Sequence, residues 1–138
     1  MLYPPKPFIQ RRSAPDSTLS QKLLQDFCLE LFGGYVERDS PECFLAFIDG
    51  VSAGGLWYKL FEGSVYVESL YVVPSFRGEG LGRKLLFHAA REEACSEMYL
   101  LAPDAVLPFY KKLGFVWERH VVQKDVKKRF SVLSKKFE

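Results

Sequence analysis

The segment that most limits what this chain can fold into is Val72-Val73-Pro74-Ser75-Phe76-Arg77-Gly78-Glu79-Gly80-Leu81-Gly82-Arg83. An apolar run enters it, Pro74 ends that run, and Leu81, Leu85, Leu86 and Ala89 leave it at helical spacing. The pattern reads as a buried strand turned into a helix through backbone that glycine adopts most easily. Such a junction exposes backbone N–H groups and the positive end of a helix, so it suits a phosphate. Arg77 and Arg83 bring full charges to its rim.

Spacing separates the phosphate-binding turns. A P-loop needs G-x-x-x-x-G-K-S/T, but counting from Gly78 the sixth position is Arg83 and no Lys-Ser/Thr follows. A dinucleotide fingerprint needs G-x-G-x-x-G, and Gly82 comes one residue early for it. At 138 residues the chain is also short for a complete two-half dinucleotide fold.

Around this turn the pattern gives short alternating elements within one domain, residues 1–138, with no repeat or linker. Residues 8–12 read as a strand and Pro15-Asp16 as a turn. Thr18 and Gln21 have capping-box spacing, and Leu23, Leu24, Phe27, Cys28 and Leu31 follow as a helix over 18–32 that Gly33-Gly34 stops. Strands are expected at 43–48 and 52–61 across the Asp49-Gly50 turn, then at 64–73 after Glu62-Gly63. In the last of these, strict alternation puts Val65, Val67, Tyr71 and Val73 on one face and Tyr66, Glu68, Leu70 and Val72 on the other. Both faces are mostly apolar, so the strand is expected to be central, and Glu68 is the costly exception. A helix over 80–95, a strand at 98–102, a helix from residue 105 capped by Asp104, and strands at 115–122 and 129–137 complete the chain. This order predicts an α/β (α+β) architecture with helices on both faces of a mixed sheet.

Arg77 to Gly82 fits R-x-x-G-x-G and resembles motif A of the GNAT superfamily of N-acetyltransferases. Leu70-Tyr71-Val72-Val73-Pro74 resembles that family's fourth strand and its exit. Phe109-Tyr110-Lys111-Lys112-Leu113-Gly114-Phe115 resembles its F-Y-x-x-x-G-F segment. The resemblance implies a mostly antiparallel sheet splayed between strands four and five, and acetyl-CoA as co-substrate. It implies direct attack by a primary amine within a ternary complex. Backbone groups of Leu70, Tyr71 and Val72 would hold the pantetheine arm, the Leu70 N–H facing the thioester oxygen. Arg77, Gly78, Glu79, Gly80, Leu81, Gly82 and Arg83 would surround the pyrophosphate. Tyr110 matches the family's general acid, and Glu68 matches the carboxylate that some members, polyamine acetyltransferases among them, use as general base. The chain departs from the family where an asparagine often precedes the second segment by six residues; that position is Pro103.

The bulk properties exclude several other classes. A net charge of +2 is too small to mark nucleic acid or a membrane as the main partner. The terminal run of Lys124, Lys127, Lys128, Arg129, Lys135 and Lys136 reads as a solvated face. Cys28, Cys43 and Cys95 form neither a disulfide framework nor a zinc pattern, and His88 and His120 lack metal-ligand spacing, so no metal is expected. Cys95 has no histidine placed for nucleophilic catalysis, which argues against a ping-pong enzyme. No apolar run reaches a membrane span and no signal peptide is read, so a cytoplasmic protein is expected. The acceptor is expected to be a small or polyamine-like amine, with Asp39, Glu42 and Glu62 available to attract a cation. A protein lysine or N-terminus is the alternative acceptor, and a non-catalytic acetyl-CoA-binding domain is the alternative class. A homodimer through residues 129–137 is expected by analogy with the family.

Overall fold

The computed structural model describes residues 6–13, 18–34, 40–123 and 128–137. The turn expected at Pro15-Asp16, the Asp39 carboxylate and the cations Lys124 and Lys127 lie outside the described residues. The elements in chain order are β1 (Phe8–Ser13), α1 (Thr18–Phe32), β2 (Glu42–Ile48), β3 (Val51–Phe61), β4 (Ser64–Val72), α2 (Leu81–Glu92), β5 (Glu97–Ala102), α3 (Leu107–Lys112), β6 (Val116–Gln123) and β7 (Lys128–Lys136). They form one sheet in the order β1-β2-β3-β4-β5-β7-β6. β4 and β5 run parallel, and every other neighbouring pair is antiparallel.

Local chemistry sets the hairpins. Asp49-Gly50 has φ of 51° and 79°, and Glu62-Gly63 has 50° and 80°. Two successive positive φ values fit a type I′ turn, whose twist matches that of the flanking strands. The two faces of the sheet are then covered differently. Phe44, Leu56, Val65, Val67 and Met98 pack against the inner face of α2, where Leu81, Leu85, Leu86 and Ala89 are all buried as their spacing predicts. On the opposite face α1 covers a smaller cluster of Leu23, Cys43, Leu45, Trp57 and Tyr71. The indole of Trp57 is wholly buried and donates to Ser20 Oγ at 2.8 Å, so the polar N–H that burial would strand is satisfied from α1.

Strict alternation along β4 does not hold. Trp57 of β3 faces Ser69 and Tyr58 faces Val67, so Glu68 is an extra residue with no partner on β3. Such a bulge reverses the parity of everything after it. Val65 and Val67 point toward α2 before the bulge, and Leu70 and Val72 do so after it, while Tyr71 points toward α1. The expected grouping of Tyr71 with Val65 and Val67 is therefore wrong, and one unpaired residue is the reason.

Two helices differ from expectation at their ends. α2 stops at Glu92 rather than near Cys95, because Ala94 turns to φ 48° and the amide of Cys95 returns to the Ala90 carbonyl at 3.2 Å. Asp104 does not cap α3. Residues Asp104–Val106 form a 3₁₀ turn ahead of the helix, no side chain caps either element, and the Asp104 carboxylate pairs with Arg129 at 3.1 Å. β7 is bonded to β5 on one side and β6 on the other, so at this end of the sheet the open edge belongs to β6, not to residues 129–137.

Candidate active site

β4 and β5 pair only from Ser64↔Glu97 to Val67↔Leu100. Beyond that point β4 continues along β3 to Val72, and β5 continues along β7 to Ala102. Each strand keeps its outer neighbour while the two part company, which opens a wedge in mid-sheet at the Glu68 bulge. The wedge widens into a cleft of about 560 Å³, a size that suits a small-molecule ligand. β4 contributes Glu68, Leu70 and Val72 to its lining, the glycine turn Gly78, Gly80 and Gly82, and α3 Phe109 and Tyr110.

On its cleft side β4 has no strand partner beyond Val67. Val73 N–H donates to the Ala53 carbonyl of β3 at 2.8 Å, which fixes the direction of the odd-numbered groups. Leu70 and Val72, one step out of phase, turn their N–H and C=O groups toward the missing partner. The Val72 carbonyl accepts from Arg77 Nε at 2.8 Å; for the other three groups a ligand with its own donors and acceptors can take the place of the missing strand.

At the mouth of the wedge the chain leaves β4 through the 3₁₀ turn Pro74–Phe76 and enters the glycines. Gly78 and Gly80 have φ of 85° and 80°, and a Cβ built on either meets nothing within 4 Å. The first described intrahelical bond runs from Lys84 N–H to the Gly80 carbonyl, so the amides of Leu81, Gly82 and Arg83 precede the ladder. No side chain caps this end, and its first turn holds no acidic residue. Open space over left-handed glycines, with unused donors aimed out of a helix, is what a diphosphate needs. Leu81 is buried in the core cluster at the edge of the cleft.

The two expected catalytic side chains both reach the cleft. Tyr110 is 7% exposed and packs edge-on against Phe109 and Phe115, at 5.0 and 5.8 Å between ring centroids. Burial alone pushes its phenol well above the ordinary range, so the hydroxyl keeps its proton at neutral pH. Glu68 is half-buried on the bulge, and Ser40 Oγ donates to its Oε1 at 2.8 Å.

The sequence profile of the acetyltransferase (GNAT) family matches residues 7–115. The chain belongs to that family. Among its relatives is a glucosamine 6-phosphate N-acetyltransferase of Trypanosoma brucei brucei, 40% identical over 53 residues, 36% of each chain. Another is the N-alpha-acetyltransferase MAK3 of Arabidopsis thaliana, 29% identical over 112 residues, 72% of this chain and 58% of that one. Both matches thus span less than two thirds of the relative. A solved PaiA N-acetyltransferase of Thermoplasma acidophilum in complex with coenzyme A superposes over 96% of this chain and 99% of that one, with a TM-score of 0.72 at 16% identity.

As a GNAT chain it holds Arg77 in an unexpected way. The guanidinium donates from Nε to the Val72 carbonyl at 2.8 Å and from Nη2 to Glu30 Oε2 at 2.6 Å, and it lies 5.6 Å from the centroid of the Tyr71 ring. The Glu30 pairing holds the Arg77 pKa above its ordinary value and the Glu30 pKa below it. Arg83 sits on the first turn of α2 over the Phe87 ring. Glu79 is exposed beside it, and Tyr71 faces α1, edge-on to Phe27 at 6.4 Å.

Sequence reasoning missed Ser40, and it missed Phe27, Glu30 and Leu31 as cleft residues. Phe27 and Leu31 belong to the helical spacing read over 18–32, and no local signal shows that this part of α1 overhangs a gap. Pro103 lines the cleft where the family often has asparagine. Glu42 instead lies 3.6 Å from Arg11, and Glu62 sits in an exposed hairpin turn; neither lines the cleft. The three cysteines are buried thiols not joined in disulfides, and burial pushes the Cys95 thiol up. His88 lies edge-on to Phe44 at 4.9 Å, and His120 Nδ1 is 3.2 Å from Ser131 Oγ on β7. Among the described residues no cluster of three metal-ligating side chains occurs, and no helix is long and apolar enough to cross a membrane.

Proposed function

We propose that this protein moves the acetyl group of acetyl-CoA directly to a primary amine, and that the acceptor is a small or polyamine-like amine. The observation that carries the reading is the parting of β4 and β5 beyond Val67↔Leu100, with an uncapped glycine turn at its mouth. The chain offers one continuous set of backbone donors and acceptors for a long cofactor arm ending in a diphosphate.

Acetyl-CoA supplies an activated acyl carbon and a thiolate leaving group. The amides from Gly78 to Arg83 hold the diphosphate, and Leu70, Tyr71 and Val72 frame the pantetheine arm. The Leu70 N–H donates to the thioester oxygen and stabilises the negative charge that grows there. Glu68 takes a proton from the ammonium, directly or through a water, since only the neutral amine has a lone pair. As the new C–N bond forms and the C–S bond breaks, Tyr110 gives its proton to the sulfur; the second proton shed by the nitrogen returns through water to the tyrosinate, and Glu68 releases its own to solvent. The protein balances the reaction by moving protons and needs no covalent acyl-enzyme, in keeping with its buried thiols.

Glu68, with Ser40 donating to it, in a mostly apolar lining whose other charges, Glu30 and Arg77, pair with each other, favours an acceptor with a cationic end. The apolar side chains of Phe27 and Leu31 favour a second reading, in which a peptide N-terminus with an apolar first residue is the acceptor. Thiol release from acetyl-CoA, measured with spermidine, glucosamine 6-phosphate, lysine and a short peptide beginning Met-Val, separates the two. Turnover of spermidine or lysine above the peptide supports the first reading, and the reverse order supports the second. Coenzyme A binding with no turnover of any amine would make the domain a non-catalytic binder.

A further inference from the structure

We infer that Arg77, although it opens the glycine motif, is a positioning residue for the acceptor wall rather than a ligand of the cofactor's phosphates. The inference rests on reading the cleft as an acetyl-CoA and amine site. Three anchors hold the guanidinium: Glu30 on α1 at 2.6 Å, the Val72 carbonyl at 2.8 Å, and the Tyr71 ring at 5.6 Å. Glu30 and Tyr71 belong to α1 and to the face that α1 covers. The side chain is thus drawn across the exit of β4, while the space over Gly78 and Gly80 stays open.

The bond to Glu30 reaches the last turns of α1, the stretch that presents Phe27 and Leu31 to the cleft. Phe27 is one turn before Glu30, so fixing the carboxylate fixes the ring that packs on Tyr71. The pair is half-exposed, so it adds little to global stability. Its effect is on where α1 sits. A second consequence follows for the cofactor: with the Val72 carbonyl engaged by Arg77, the arm bonds to both backbone groups of Leu70 and to the N–H of Val72. Charge for the diphosphate comes from the uncapped amides of α2 and from Arg83.

The test is coenzyme A titration by calorimetry, with steady-state kinetics on the best amine of the panel above, for the wild type, Glu30→Gln, Arg77→Gln and the exchanged pair Glu30→Arg with Arg77→Glu. The strut predicts that Glu30→Gln leaves the coenzyme A Kd within about twofold and raises the amine KM roughly three- to fivefold with little change in kcat. Arg77→Gln behaves in the same way, and the exchanged pair restores the amine KM. A phosphate-binding Arg77 predicts the opposite sign: Glu30→Gln releases the guanidinium and tightens coenzyme A binding, while Arg77→Gln and the exchanged pair weaken it about tenfold or more. Either of those results overturns the inference. A wild type that neither binds coenzyme A nor turns over acetyl-CoA removes the reading beneath it instead.

Discussion

Gly82 lies beneath the Phe109 ring: a Cβ built on the glycine would stop 3.2 Å from Phe109 Cζ and 3.7 Å from Leu70 Cδ2. The two halves of the cofactor motif, far apart in the chain, meet at this contact. Gly82→Ala would push the half-exposed Phe109 ring by a few tenths of an ångström into the cleft. Gly82 is helical, so the same change gains up to about 1 kcal/mol of helix propensity. The expected outcome is weaker coenzyme A binding with an unchanged or slightly raised melting temperature. An unchanged Kd would mean that the ring swings clear of the cofactor's path.

Tyr110→Phe removes a hydroxyl and keeps the ring that fills the space between Phe109 and Phe115. Loss of a positioned general acid costs about a hundredfold or more in kcat. Coenzyme A affinity and the melting temperature are expected to stay near wild type. A parallel fall in kcat and affinity would reassign Tyr110 to packing.

Glu68→Gln keeps the shape of the bulge residue and its bond from Ser40, and removes its ability to take a proton. The variant is expected to have a kcat lower by about a hundredfold or more, with coenzyme A affinity near wild type. A raised amine KM with kcat unchanged would make Glu68 a substrate ligand instead.

Stability should fall at alkaline pH. Burial holds the phenols of Tyr58 and Tyr110 above the ordinary tyrosine value of 10.0, and the bond to Glu93 raises Tyr58 further. Below pH 10 these groups are protonated in folded and unfolded chains alike, so their stabilising effect is fully present. Above it the unfolded chain loses protons that the folded chain keeps, so the native state loses stability as pH rises toward the folded values. Urea midpoints measured between about pH 8 and 11 check this, and Tyr110→Phe should flatten the decline. Equal slopes in the two proteins would place the Tyr110 hydroxyl in water.

Periodicity and turn chemistry were enough for most of the fold. The span of α1, both Gly-containing hairpin turns and the buried stripe of α2 lie where local spacing puts them, because those signals depend on neighbours in the chain. The glycine turn was legible for the same reason: Gly78, Gly80 and Gly82 answer to backbone conformation and close approach within one short segment.

What tertiary structure decided begins at Glu68. A bulge is a mismatch between two strands, so β4 alone contains no sign of it, and strict alternation assigned Tyr71 to the wrong face. The same is true of the wedge, which exists because β4 and β5 follow different outer neighbours after Val67↔Leu100. It is true again of Arg77, whose partner Glu30 is 47 positions away on α1, where spacing gives no sign of the pairing. From the sequence alone came the cofactor motif and the order of the elements. The side of the sheet that each motif residue faces, and the α1 wall set against the cleft, came from pairing between distant strands, because register and ion pairs across a sheet are properties of two segments rather than one.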